Sequence, residues 1–411
     1  MPGEEPRRHA GRPPGQEAES EVVITGLGAT TPLGGDVAGT WEALRSGECA
    51  VRPIGQEWAE EMGLPVRIAA PLAVEPADVL SPKEQRRLDR SSQLALIASR
   101  EAWAQAGSPD VDGERLAVSI APGMGPVLSV MEAWDALRER GPRRVAPTAV
   151  PALMPNSPAV AVGIELGARA GIHSPVAACA SGAEAIAHGA DLISLGRADM
   201  VLAGGTDAAL HPMTVAAFAA MRALSTRNDD PAGASRPLAA DRDGFVLGEG
   251  AGVVVLESAG HARARGAHPL ARLAGWALTA DAMDVARPDP TGAQQERALR
   301  QALDQAGLAP GELGHINAHA TSAGDIVEAR VIARTAPGAA LSATKSATGH
   351  LLGGAGGLEA VLAAMAIVEE FLPPTLLPGG IDPEIADLGL DVVGPDGREA
   401  PGLASAASTS F

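Results

Sequence analysis

Cys179 stands in Ser174-Pro-Val-Ala-Ala-Cys-Ala-Ser-Gly182, a short run that passes through small residues into a helix-forming stretch. The spacing predicts a strand over 174–178 and a helix over 182–195. That geometry would put the sulfur at a helix N-terminus, where free N–H groups and the helix dipole favour thiolate. Free cysteine is also among the residue types most often buried, so type alone supports a core residue equally well, and placement is what argues for a nucleophile. His319 lies in Ile316-Asn-Ala-His-Ala-Thr-Ser322, at the C-terminal end of a predicted strand over 315–318. Open α/β sheets gather their active sites at such ends. His350 lies in Thr344-Lys-Ser-Ala-Thr-Gly-His-Leu-Leu-Gly-Gly354, read as a Gly-rich loop before a helix over 358–370. The loop lacks the Lys-Ser/Thr ending of a phosphate-binding loop, and two histidines without a third ligand do not specify a metal. His9, His173, His188, His211, His261, His268 and His315 are read as surface or satisfied core residues.

Composition points to one further residue. The 32 basic residues comprise 30 Arg and two Lys, Lys83 and Lys345, and tyrosine is absent. In a chain so shifted towards Arg, Gly and Pro, a retained lysine marks chemistry that a guanidinium cannot copy. The two cysteines, Cys49 and Cys179, exclude a disulfide framework and a multi-cysteine zinc site. A net charge of −18 argues against a general nucleic-acid surface. The first twenty residues have no apolar core of a secretory signal, and no apolar run reaches bilayer length; a cytoplasmic location is expected.

These residues need a scaffold, and 411 residues exceed one ordinary core. Residues 1–21 read as a flexible tail. Strands are predicted over 22–25, 116–121, 200–203 and 252–257, and again over 270–278, 315–318, 339–342 and 404–408. Helices are predicted over 41–45, 86–106, 294–306 and 325–334. Strands alternating with helices argue for an α/β protein with mainly parallel sheets, in two similar halves over 22–259 and 260–411.

Five ordered motifs carry a resemblance: VVITGLGATTPLG, ACASG, ASRPLAADRDGFVLGEGAG, NAHATS and TKSATGHLLGGAGG. From residue 22 to the end, the chain resembles β-ketoacyl-acyl-carrier-protein synthases of the elongating type II of actinobacterial fatty-acid synthesis. The resemblance implies a thiolase-like fold with layered α-β-α-β-α architecture. It implies Cys179 as acyl acceptor, His319 and His350 as the histidine pair, Lys345 as their supporting cation and Glu359 as the glutamate near that lysine. Met124, Phe218 and Thr321 would line the substrate path. Lys83, Arg86 and Arg87, with Arg90 alongside, and Arg222 would dock an acidic acyl carrier protein. A homodimer is implied, and no metal or cofactor beyond the carrier's phosphopantetheine. The activity implied is decarboxylative condensation of malonyl-carrier with an acyl chain on Cys179, in fatty-acid or polyketide synthesis.

Related patterns fit less well. Degradative thiolases use a second catalytic cysteine, and only Cys49 is available; initiating synthases use Cys-His-Asn; chain-length partner subunits lack the nucleophile. Two features depart from the family pattern. His319-Ala-Thr-Ser-Ala-Gly-Asp325 is two residues shorter than the family's HATSTPxGD. The chain stops at Phe411, where the family runs into a Gly-Phe-Gly-Gly loop and a last edge strand, so a missing oxyanion donor, an exposed sheet edge and weak condensation are expected. A catalytically impaired paralogue, acting as dimer partner or decarboxylase only, is the alternative.

Overall fold

The computed structural model describes residues 21–55, 57–284 and 287–411; the predicted tail over 1–21 lies outside them apart from Glu21. The first sheet uses β1 (Val22–Thr30), β2 (Leu116–Ala121), β3 (Gly171–His173), β4 (Met200–Asp207), β5 (Gly250–Ser258) and β6 (Ala271–Leu273) in the order β3-β2-β4-β5-β1-β6. The second uses β7 (His315–Asn317), β8 (Ala340–Ser342), β9 (Asp391–Val392) and β10 (Ala406–Ser408) in the order β9-β8-β7-β10.

The second sheet is wholly parallel. The first is not: β3, β2 and β4 are parallel, whereas β5 runs antiparallel to both β4 and β1, and β6 antiparallel to β1. The expectation of mainly parallel sheets holds for the second sheet and is corrected for the first, where β5 and β6 run against the other strands. β1 and β4 are buried along their whole length, and a strand covered on both faces shows no alternation from which direction can be read. The predicted strand over 270–278 shrinks to β6, which comes from the second half of the chain yet closes the first sheet against Val22–Ile24.

Helices α1 (Arg90–Gln105), α2 (Val127–Arg140) and α3 (Ser157–Leu166) precede the Cys179 segment; α4 (Ser181–Ser194), α5 (Ala293–Ala306), α6 (Asp325–Thr335) and α7 (Gly353–Val368) follow. α1 and α3 pack together over β1, β5 and β2, on one face of the first sheet. α4 and α7 pack together on the other, and α7 also meets β7 and β10 of the second sheet. α5 and α6 cover the far side of the second sheet, with Leu299, Leu303 and Ile332 meeting Ile316 and Leu341 in one apolar cluster. The result is the layered α-β-α-β-α arrangement. None of the helices among the described residues is long and apolar enough to cross a membrane.

The central layer explains a misread boundary. Gly353-Gly-Ala-Gly-Gly357 reads as loop because glycine is a poor helix former, yet α7 begins at Gly353. Packing overrides propensity: a Cβ on Gly357 would lie 2.2 Å from the carbonyl oxygen of Gly252 in β5. Helix backbone rests directly on strand backbone. Gly357→Ala should therefore lower stability by about 1–3 kcal/mol, the usual cost of overpacking, read as a lower urea midpoint at unchanged slope. Gly311→Ala, with nothing within 4 Å of the new methyl, should leave the midpoint unmoved.

Candidate active site

β3 ends at His173, and Pro175 removes a ladder donor, so the predicted strand over 174–178 does not form. The chain enters a 3-10 turn, Ala178–Ala180, that opens onto α4. Ala178 takes φ 48°, a left-handed conformation that costs a non-glycine residue about 1–2 kcal/mol. Ser181 holds the turn: its Oγ donates to the Ala178 carbonyl at 2.7 Å and accepts the Ala177 N–H at 2.8 Å. Cys179 is thereby fixed half-buried, against an apolar cluster that Phe218 and Phe245 also border.

Burial pushes the Cys179 thiol up to about 11, against the pull of the Lys345 ammonium. A helix N-terminus supplies at most about 2 kcal/mol, or roughly 1.5 pKa units. Burial wins, and at neutral pH the resting sulfur is a thiol rather than the thiolate the sequence suggested.

His319 leaves the end of β7, and the backbone turns away through positive φ at Ala320 and Ser322. Glu328, in the first turn of α6, reaches back to hold it. Its Oε1 accepts the His319 N–H at 2.7 Å and its Oε2 the Ala320 N–H at 2.8 Å, while Thr409 Oγ1 donates to Oε1 at 2.7 Å. Lys345, buried just after β8, bonds Glu359 of α7 and lies 3.4 Å from Nδ1 of His319. An ammonium has no acceptor, so Nδ1 must offer its lone pair, and the neutral ring carries its proton on Nε2. Burial, reinforced by Lys345, holds both His319 and His350 well below the usual imidazole range, so both rings are neutral at pH 7. Burial likewise raises Glu359, to about 7, against the neighbouring ammonium.

The His350 backbone is pinned between two strand-like contacts, its N–H donating to Val246 at 2.8 Å and its carbonyl accepting from Gly248 at 2.9 Å. Neither ring nitrogen has a hydrogen-bond partner among the described residues. Its ring meets those of His319 and Phe245 edge to face, with centroids 5.4 and 5.2 Å apart. The Cys179 sulfur and one nitrogen from each of these histidines lie within 4.8 Å of one another. One nucleophile and two neutral donors at one point suit acyl transfer to sulfur and stabilisation of a developing oxyanion. The same three atoms are the only such cluster with metal-ligand spacing among the described residues. A dication there would face the Lys345 ammonium that bonds one of its ligands, which opposes metal binding.

Other predicted residues fall into two groups. Met124 sits beside the Cys179 turn, since a Cβ on neighbouring Gly123 would lie 2.7 Å from the Ala178 carbonyl. Phe218 stacks edge-on against Phe245 at 5.4 Å, which continues the ring series to His350. Thr321 is buried two residues from His319 and donates to the Ala323 carbonyl at 3.2 Å. Lys83, Arg86 and Arg87 are exposed together on the short helix Pro82–Gln85 and just after it, and Arg222 is exposed on a separate element, past the helix Pro212–Ala220. Arg90 leaves this set, because Glu75 and Glu249 hold its guanidinium. Sequence reasoning missed Ser181, Glu328 and Phe245. Glu328 had a signal: a carboxylate on the apolar face of a helix that starts directly after the His319 loop.

The thiol's high pKa fixes an expected outcome. Alkylation of Cys179 by iodoacetamide should rise about tenfold per pH unit between about pH 7 and about pH 9, with Cys179→Ser as the blank in mass spectrometry. A plateau near neutral pH would show a resting thiolate instead.

Two domain models match the chain: Beta-ketoacyl synthase, N-terminal domain, over residues 19–262, and Beta-ketoacyl synthase, C-terminal domain, over 270–377. The chain is 43% identical over 386 residues to 3-oxoacyl-[acyl-carrier-protein] synthase 2 of Mycobacterium bovis, covering 93% of this chain and 91% of that one. It is 41% identical over 372 residues to the protein of the same name from Staphylococcus aureus, covering 88% and 89%. A beta-ketoacyl synthase from Burkholderia phymatum superposes with TM-score 0.84 at 35% identity, over 92% of this chain and 93% of that one. So does a type II polyketide ketosynthase in complex with its acyl-carrier protein, with TM-score 0.84 at 30% identity, over 93% and 94%. On fold, motifs and these likenesses, the chain belongs to the beta-ketoacyl synthase family.

Proposed function

We propose that this chain is a 3-oxoacyl-acyl-carrier-protein synthase, an acyltransferase that condenses an acyl group held on Cys179 with malonyl-carrier in fatty-acid or polyketide synthesis. The observation that carries the reading is the convergence of one thiol and two neutral imidazoles within 4.8 Å, with Lys345 occupying Nδ1 of His319. In the first half-reaction the sulfur attacks a carrier thioester; the new C–S bond forms as the carrier's C–S bond breaks, and the thiol proton ends on the departing carrier thiol. Malonyl-carrier then loses carbon dioxide, and the electron pair of the broken C–C bond enters an enolate. The Nε2–H of His319 and a ring N–H of His350 hold its oxygen. The enolate carbon attacks the acyl thioester, and Cys179 leaves as a thiolate as the new C–C bond is completed; a proton taken up from solvent returns it to the resting thiol. The scheme draws on no cofactor beyond the carrier's phosphopantetheine.

An acidic carrier needs local positive charge on a chain at −18. Lys83, Arg86, Arg87 and Arg222 supply it, and Arg138, Arg140, Arg143 and Arg144 form a further exposed group around the end of α2. The exposed apolar face of α2, with Val130, Trp134 and Leu137, and the edge of β3, unpaired among the described residues, support a homodimer. The setting that fits this partner is the cytoplasm.

Cys179→Ala should give no acyl adduct by intact mass after incubation with acyl-carrier. His319→Ala and His350→Ala should still acylate but lose on the order of 10²-fold or more in condensation. Lys345→Arg should also impair turnover, because a planar fork replaces a compact ammonium, while Lys83→Arg should be silent. An adduct on Cys179→Ala would sink the assignment. Reversing charge at Lys83, Arg86 and Arg87 together should raise KM for the carrier at nearly unchanged kcat; an unchanged KM would remove that turn from the docking surface.

A further inference from the structure

β4 runs Met200-Val-Leu-Ala-Gly-Gly-Thr-Asp207, buried throughout, and ends on the one ionisable side chain in the strand. The hydrogen bonds that Asp207 accepts come from backbone. Its Oδ2 accepts the N–H groups of Gly123 and Gly353, both at 2.8 Å, and of Met124 at 3.2 Å; Oδ1 lies 3.4 Å from the same Met124 nitrogen.

The surrounding backbones leave no room for side chains. A Cβ on Gly123 would lie 2.7 Å from the Ala178 carbonyl oxygen and 2.9 Å from Oδ2 of Asp207. A Cβ on Gly353 would lie 2.1 Å from the Gly123 nitrogen, and one on Gly205 would lie 2.0 Å from the Gly353 carbonyl oxygen. The loop carrying Met124, the turn carrying Cys179 and the start of α7, three residues past His350, therefore touch around one carboxylate.

We infer that Asp207 is a positioning residue of the condensing site: it fastens the Met124 loop and the start of α7 to one point, setting how Met124 borders the acyl chain and how negative the surroundings of the Cys179 sulfur are. The acyl-chain half rests on the proposed function; the electrostatic half does not. A carboxylate is suited to the task because it gathers several charge-assisted N–H bonds at one oxygen, shorter and stronger than those an amide makes. Its cost is the absence of a cation partner among the described residues, and burial accordingly lifts the Asp207 carboxyl to about 7. The charged groups facing Cys179 are Lys345, Asp207 and Glu359, with neutral His319 and His350 completing the shell. An ionised Asp207 opposes thiolate formation, and the neutral amide of Asp207→Asn would not.

The test uses the full chain with Asp207→Asn, which keeps the shape and removes the charge, and Asp207→Glu, which keeps the charge and displaces it by one methylene. Iodoacetamide alkylation of Cys179, with no substrate present, is followed between about pH 6 and about pH 9. Asp207→Asn should alkylate at least about threefold faster at about pH 8, as expected on removing a nearby negative charge. Loading of Cys179 from short and long acyl-pantetheine thioesters is then compared by mass spectrometry. Asp207→Glu should change the short-to-long ratio at least about threefold, because Met124 moves with the carboxylate that holds its N–H. Wild-type alkylation rates in Asp207→Asn across the whole range, or a wild-type loading ratio in Asp207→Glu, would overturn the inference. Failure of the condensing reading itself shows differently, as wild-type protein that alkylates at Cys179 but loads no acyl group.

Discussion

The buried ion pair between Lys345 and Glu359 is the constraint on which the site depends. Lys345 follows β8 of the second sheet; Glu359 lies on α7, the helix seated on the first. Taking both charges out of water costs several kcal/mol per ion, and apolar residues of the same size often serve stability as well or better. The pair is better explained by what it does to its neighbour. Burial keeps the His319 ring from protonating, and the ammonium, held by Glu359 and pointing at Nδ1, reinforces this and leaves Nε2 as the donor. Glu328 does the matching work on the His319 backbone.

The chemistry follows from neutrality. A charged imidazolium would stabilise an enolate strongly, but it would also bind the malonyl carboxylate that must leave as carbon dioxide. Two neutral donors in a low-dielectric pocket favour the oxygen that gains charge during the reaction, which is where differential stabilisation accelerates it. Cys179, the nucleophile of the proposed reaction, is kept as a thiol by the same burial, so its proton departs only when a thioester offers somewhere for it to go.

Much of this was legible in the sequence. Cys179, His319, His350 and Lys345 stand in short motifs whose residue types announce their chemistry, and the structure gathers all four with Glu359. The alternation of strands and helices pointed to an α/β protein, and the family resemblance to its layered arrangement. Other features were hidden for particular reasons. The direction of β5 leaves no trace in a strand buried on both faces. The first turn of α7 is written in glycines because strand backbone lies against it, so packing there contradicts propensity. Arg90 sits among exposed cations in the sequence but is claimed by Glu75 and Glu249, which are distant along the chain. Asp207 was lost in a surplus of acidic residues, most of which face solvent, and only burial separates it from the rest, whereas Glu328 was marked by its place on the apolar face of α6.

The contact of bare backbones around Gly123, Gly353 and Gly205 also bears on how such a protein can change over generations. At that junction almost any substitution introduces a clash of the kind that unfolds or distorts, so the reacting centre has few viable neighbours in sequence space. Half-exposed Met124 and half-buried Phe218 are under no such restriction. On the proposed function, in which Met124 and Phe218 border the acyl chain, drift can rework those walls while the chemistry stays locked, leaving substrate range as the trait most open to selection.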